Sequence, residues 1–220
     1  KKGLMQRLLT GKVRLPGFEG EWKEVRLGEI GECIRGVSYQ PKDLYTTDVE
    51  NSVRLLRSNN ILDNKIIEHE IQFVDKSKVK ENQILRKTDI VISMANGSKN
   101  LIGKNAEFRL DATGIYTVGS FCAIFRFNQK VESGYAKYLF QTERYEKYVQ
   151  NLIVGSNINN LKPTDIESMS FRIPSDVNEQ KVLASIIDSA NKAIELLERE
   201  VETLKQQKKG LMQLLLTGKV

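Results

Sequence analysis

"LASIIDSANKAIELLEREVETLKQQKKGLMQLLLTGKV", residues 183–220, places apolar side chains at Leu183, Ile187, Ala190, Ile194, Leu197, Val201 and Leu204, followed by Lys208, Leu211 and Leu215. The steps alternate four and three without a slip, while Glu195, Glu198, Glu200, Glu202 and Lys205 occupy the other faces. This is the heptad pattern of a coiled-coil helix. Asp176 and Glu179 have capping-box spacing and Pro174 stands just before them, so the helix is expected to begin at 176. At 1.5 Å per residue it would run about 55 Å, too far for one small domain to cover. The seam at Leu183, Ile187, Ala190, Ile194, Leu197, Val201, Leu204, Leu211 and Leu215 therefore needs a second helix.

The end of that helix, "KKGLMQLLLTGKV" at 208–220, recurs as "KKGLMQRLLTGKV" at 1–13, differing only at Arg7 against Leu214. Lys1, Leu4 and Leu8 fall in register with Lys208, Leu211 and Leu215, so the first copy reads as the tail of an identical helix. The pattern has one period: helix end (1–13), globular domain (14–175), long helix with a second helix end (176–220). Two such periods would complete it, either fused or supplied by two copies.

Between the helix ends, "VRLPGFEGEW" is a Pro/Gly loop with Trp22 as a boundary anchor. Short strand-like runs follow at 53–57, 71–74, 89–94, 106–110 and 120–127, separated by loops such as "ANGSKN" and "GSNINN". One helix is expected over 133–152, its stripe of Tyr138, Leu139, Tyr145, Tyr148, Val149 and Leu152 serving the core. The expected class is α+β: a mixed α/β domain followed by a long coiled-coil helix.

Composition bounds the function. At 220 residues and 40% hydrophobic content the chain can bury a real core. No apolar run approaches the roughly 18 residues needed to cross a bilayer, so a soluble protein with no membrane partner, located in the cytoplasm, is expected. Cys33 and Cys122 lack CxxC spacing and read as small core residues. The net charge of +6 is spread thinly, with a local excess of cations between Asp75 and Arg109. A phosphate-facing surface needs only such a local field.

Catalytic signatures are missing. The four prolines are isolated, no GxGxxG or GxxxxGK[ST] occurs, and the single histidine, His69, sits in a polar turn. In "PSDVNEQK" the acids Asp176 and Glu179 are explained by capping rather than by a metal. The expectation is a chain that performs no chemistry itself, with no cofactor and no metal.

With these residues in view, the sequence resembles the specificity subunit of type I restriction-modification systems. The likeness runs through Trp22 and "VRLGEIGE" (25–32), "RSNNI" (57–61), "DIVISMANGSKNLIGKNA" (89–106), "GSFCAIFRF" (119–127), "GSNINNLKPTDIESMSFRIPSDVNEQKVLASIID" (155–188) and "KKGLMQLLLTGKV". It implies a DNA-recognition protein with two target-recognition domains separated by helices that pair antiparallel. Methyltransferase and motor-nuclease subunits would assemble around it. This chain has one recognition domain where the family pattern has two. Two copies pairing about a two-fold axis would place identical readers at opposite ends of a spacer and read an inverted repeat in double-stranded DNA.

Base reading calls for Arg, Lys, Asn, Gln, Ser or Thr on loops, with cations on phosphates. Three loops qualify: Arg54, Arg57, Ser58, Asn59 and Asn60; Asn96, Ser98, Lys99, Asn100 and Lys104; Asn157, Asn159, Asn160 and Lys162. Arg35, Tyr39 and Lys42 form a weaker fourth set. Asn96 with Gly97 is equally explained by turn chemistry, and the third loop by folding the domain back onto the helix. The rival function is a coiled-coil scaffold whose domain binds protein, distinguished by the lack of salt-dependent DNA affinity.

Overall fold

The computed structural model describes residues 2–109, 114–156 and 159–218. Helix α1 (Lys2–Leu9) is followed by strand β1 (Trp22–Arg26), the short helix α2 (Leu27–Ile30) and strand β2 (Gly31–Arg35). Strands β3 (Leu44–Tyr45), β4 (Ser52–Leu56), β5 (Ile61–Leu62), β6 (Lys65–Ile66), β7 (Gln72–Asp75), β8 (Ile90–Ser93), β9 (Asn105–Glu107), β10 (Tyr116–Val118) and β11 (Cys122–Phe127) come next. Helices α3 (Ser133–Ala136), α4 (Glu143–Ser156) and α5 (Pro163–Glu167) then lead to β12 (Ser170–Pro174) and the 40-residue helix α6 (Val177–Leu216). The mixed α/β class and the long final helix are as the sequence led us to expect.

The domain has three layers. A four-stranded antiparallel sheet, ordered β2-β11-β8-β9, lies in the middle. Because side chains alternate across a strand, Ile90, Ile92, Ala123 and Phe125 point into a core shared with the helices. Val91, Cys122 and Ile124 point the other way, into a core shared with Leu56, Tyr116 and Val118 of the second sheet. Both faces are thus covered, which explains the unbroken apolar runs in β8 and β11. The second sheet is ordered β10-β4-β7-β3, with β10 parallel to β4.

Strands β1 and β12 pair antiparallel, Val25 opposite Phe171 and Trp22 opposite Pro174. This ribbon joins the chain coming from α1 to the chain going out into α6. As a result α1 lies at the root of α6, with Met5, Leu8 and Leu9 in one core with Leu183, Ala184 and Ile187.

Two ionic clusters fix α6 on the domain. The Glu179 carboxylate, 1% exposed, takes the Arg14 Nε and Nη2 donors at 3.1 Å each and the Trp22 indole N–H at 3.2 Å. About two and a half turns further along α6, Asp188 accepts from Lys137 Nζ at 3.1 Å and from the Tyr138 hydroxyl. Buried Lys137 also reaches Glu107 at 3.5 Å. Burial alone would raise the Asp188 carboxyl, but hydrogen bonds from Tyr138 and Lys137 with the charges of Lys137 and Arg109 outweigh it and hold it below the usual range.

Three expectations change. The helix over 133–152 is broken: α3 passes into a 3-10 turn, and Thr142 turns extended before α4 begins. The Thr142 hydroxyl oxygen accepts from the Tyr145 N–H at 3.2 Å, an N-cap that starts a new helix in the middle of the apolar stripe. At the start of α6, Asp176 caps the Asn178 N–H at 2.8 Å, whereas Glu179 turns inward to Arg14 and Trp22 instead of completing a capping box. The seam is also divided. Leu183 and Ile187 are each 1% exposed because the chain's own core covers them, so they are not open to a second helix; Ala190 and Ile194 are half-buried. The open stripe consists of Leu197, Val201, Leu204, Leu211 and Leu215, accompanied by Leu196, Met212, Leu214 and Leu216. Among the described residues, no helix is long and apolar enough to cross a membrane.

Candidate nucleic-acid interface

Strands end in one place because of how the two sheets meet. The carboxyl ends of β2, β4, β8 and β10 converge on the turn 119–121 that leads into β11. Gly119 N–H donates to Leu56 O at 2.9 Å, Gly36 N–H to Cys122 O at 3.0 Å, and Met94 N–H to Phe121 O at 2.8 Å. Isolated bridges join Val37 to Gly119 and Ala95 to Asn160. The approach at Gly36 is so close that a β-carbon there would stand 2.1 Å from Gly119 O, so only glycine lets these strand ends meet.

Loops far apart in sequence are thereby pinned to one another. Asn96 Nδ2 donates to Ser58 Oγ at 3.1 Å, joining the first and second loops. Arg35 donates through Nη1 and Nη2 to Asn160 Oδ1 at 3.3 and 3.2 Å, and through Nη2 to Leu161 O at 2.7 Å. This joins the fourth set to the third loop. Tyr39 and the Arg57 stem flank Gly119. Arg35, Tyr39, Arg57, Ser58, Asn96 and Asn160 therefore share one surface around the turn 119–121.

Phe121 projects from the middle of that surface with 69% of its area exposed. Sequence reasoning missed it. In "GSFCAIFRF" it shares parity with the buried Ala123 and Phe125, which marks it as core. Only the end of the sheet before Cys122 leaves it outside.

Other expected residues are placed differently. Asn60 is a correction: it is 0% exposed, its Oδ1 accepts from Arg57 N–H at 2.9 Å, and its Nδ2 donates to Ile67 O and His69 O at 3.0 and 2.7 Å. Its amide is consumed in shaping the loop and cannot reach a base. Arg54 points its Nε and Nη2 at Asp48 (3.1 and 2.9 Å) and its Nη1 at the Tyr116 hydroxyl (2.9 Å), which ties β4 to β10. Asn96 also makes the turn expected of it, its Oδ1 accepting from Ser98 N–H at 2.9 Å.

Lys99, Asn100 and Lys104 line a neighbouring cleft with Asn64, Gln141 and Tyr145. Lys42 is exposed beside Pro41, while Asn59, Ser98 and Asn159 are exposed on their loops. The Lys162 side chain is exposed while its backbone N–H caps Asp165 at 2.7 Å. Asn157 lies outside the described residues. Chemically, the surface offers Asn, Ser and Arg donors and acceptors, an exposed aromatic ring, and flanking lysines. Such a set suits base edges and phosphates.

The family described as type I restriction modification DNA specificity domain matches residues 19–206. The specificity subunit of the type I restriction enzyme EcoKI from Escherichia coli (strain K12) is 30% identical over 199 residues, 90% of this chain and 42% of that subunit. The MjaVIII specificity subunit from Methanocaldococcus jannaschii is 26% identical over 234 residues, all of this chain and 53% of that subunit. The crystal structure of the HsdS subunit from Thermoanaerobacter tengcongensis superposes with a TM-score of 0.61 at 18% identity, covering 89% of this chain and 44% of that one. The chain thus spans about half the length of the relatives it matches.

Proposed function

The chain belongs to the type I restriction-modification DNA specificity family, and from that premise we propose that its domain is a target-recognition domain reading double-stranded DNA. It performs no chemistry and needs no cofactor; it delivers a chosen site to methyltransferase and motor-nuclease subunits in the cytoplasm. Reading falls to the surface around 119–121. Asn96, Ser58, Asn59 and Asn160 address base edges, Phe121 makes apolar contact with a base, and Arg57, Lys99, Lys104 and Lys162 lie along phosphates. The observation that carries this reading is the pinning of four separate loops into one surface by the Asn96–Ser58 and Arg35–Asn160 bonds. Positions held that firmly can be complementary to one DNA sequence.

Two copies pair their α6 helices antiparallel through Leu197, Val201 and Leu204, so that two identical readers face an inverted repeat. At 1.5 Å per residue, a two-fold axis near Arg199, within the Leu197–Leu204 stretch, sets the last covered positions of the two helices, Ile187 in each copy, about 36 Å apart. That corresponds to a little over one duplex turn of about 35 Å between half-sites. The test is binding to a selected duplex in the presence of the methyltransferase partner. Phe121→Ala should lower specific affinity about tenfold, within the usual 1–3 kcal/mol of a base contact, without changing the salt dependence. Lys162→Ala should lower the salt slope by about 1. A chain with no salt-dependent affinity for any duplex would leave the scaffold reading instead.

A further inference from the structure

Of the eight phenylalanines, Phe121 alone is exposed, at 69%, and the other seven are buried or half-buried. Its backbone is held on both sides. Phe121 O accepts from the Met94 N–H at 2.8 Å and from the Ala95 N–H at 3.1 Å, and Cys122 N–H closes the turn before it on Gly119 O at 2.8 Å. Ala95 also bridges Asn160, and Asn96 follows it in the chain. The ring is therefore mounted on the same stretch that carries two of the polar loops. The side chains pinned around it include Arg35, Ser58, Asn96 and Asn160, all of them hydrogen-bonding groups.

A single ring in polar surroundings fits a small apolar target. A broad apolar partner would call for a patch several side chains wide, and a polar partner would lose hydration against the ring with nothing in return. In the major groove, base pairs present one apolar group, the C5-methyl of thymine; the other groups there are hydrogen-bond donors and acceptors, and the minor groove offers no methyl. We infer that Phe121 is a specificity-determining residue that packs on the C5-methyl of one thymine in each half-site. This rests on the DNA-reading surface proposed above and adds which base the ring selects. Cytosine would bring its N4 amino group to the ring and a purine its N7, and burying either without a partner is costly. The firm backbone mount serves this role, because a methyl group is a target one carbon wide.

The test uses the full chain assembled with its methyltransferase partner and titrated with its selected duplex, each thymine being replaced in turn by uracil. Uracil keeps every hydrogen-bonding group of thymine and lacks the methyl. At one thymine of each half-site the replacement should weaken binding about fourfold, the worth of one buried methyl group. F121A should bind the thymine and uracil duplexes equally, while F121L, which keeps an apolar side chain, should still prefer thymine. Both variants should melt with the wild-type chain, since the exposed ring supports no part of the core; a lowered melt would assign the ring to the fold instead and overturn the inference. A half-site without thymine, uracil tolerated at every position, or a fourfold loss that persists in F121A would overturn it as well. So would a rise in 2-aminopurine fluorescence beside that thymine that needs Phe121, since the ring would then be inserted between bases instead of packed on an edge. In all of these results the complex still selects a duplex. A complex that selects none would refute the DNA-reading surface and this inference together.

Discussion

Replacing Leu197 and Leu204 by alanine removes the two largest side chains from the centre of the open α6 stripe. They are 60% and 56% exposed, so just over half of each remains to be buried by a partner. Full burial of a leucine is worth roughly 1.5–3 kcal/mol, so each truncation should cost about 1 kcal/mol of association. The two-fold repeats each loss, which brings the total to about 4 kcal/mol, a weakening of the dimer by nearly a thousandfold. The single chain should be indifferent, because exposed helix positions tolerate alanine within about 0.5 kcal/mol. Sedimentation equilibrium over a concentration series reads the first quantity. Thermal melting at a dilution where both proteins are monomeric reads the second. An unchanged dimer constant, or a melt lowered by several degrees in the dilute variant, would refute the reasoning, since the leucines would then serve the chain's own fold.

Arg14→Ala strands the Glu179 carboxylate, 1% exposed, with only the Trp22 N–H; urea unfolding should show a loss of about 3 kcal/mol. The Asp188 carboxyl is held below its ordinary value in the folded chain. Its contribution is therefore full above about pH 4 and is lost as pH falls through its folded pKa. Asp188→Asn should flatten the slope of stability between pH 2 and 4, measured by denaturation at each pH. At pH 8, iodoacetamide should leave both thiols unlabelled in the native chain, their pKa values being pushed up to about 12 by burial, and should label both in urea.

The long helix was legible because its heptads persist through 40 residues and Asp176 marks the start. What covers each apolar position was not, since Leu183 and Leu197 look alike in sequence although one meets its own domain and the other meets solvent. Strands β8 and β11 were legible as apolar runs, whereas β1, β2, β10 and β12 were missed. They lack the unbroken apolar run of β8, with charged residues in β1, β2 and β12 and only three residues in β10, and tertiary pairing defines them more than local pattern does. The break at Thr142 is a cap competing with a continuous stripe, a local choice that periodicity averages over. In the site, polar loop chemistry pointed to Ser58, Asn96 and Asn160. It could not tell Asn60, whose amide is turned inward, from Asn59, and it left Phe121 inside the strand-like run 120–127.

The DNA that the assembled complex selects is the most direct readout of two identical readers held at a fixed spacing. We expect selection from a random duplex library, by this chain with its methyltransferase partner, to yield two identical half-sites in inverted orientation. They should be separated by an unspecified gap and centred about one to one and a half turns apart. A single half-site, a direct repeat, or no enriched sequence at all would contradict it.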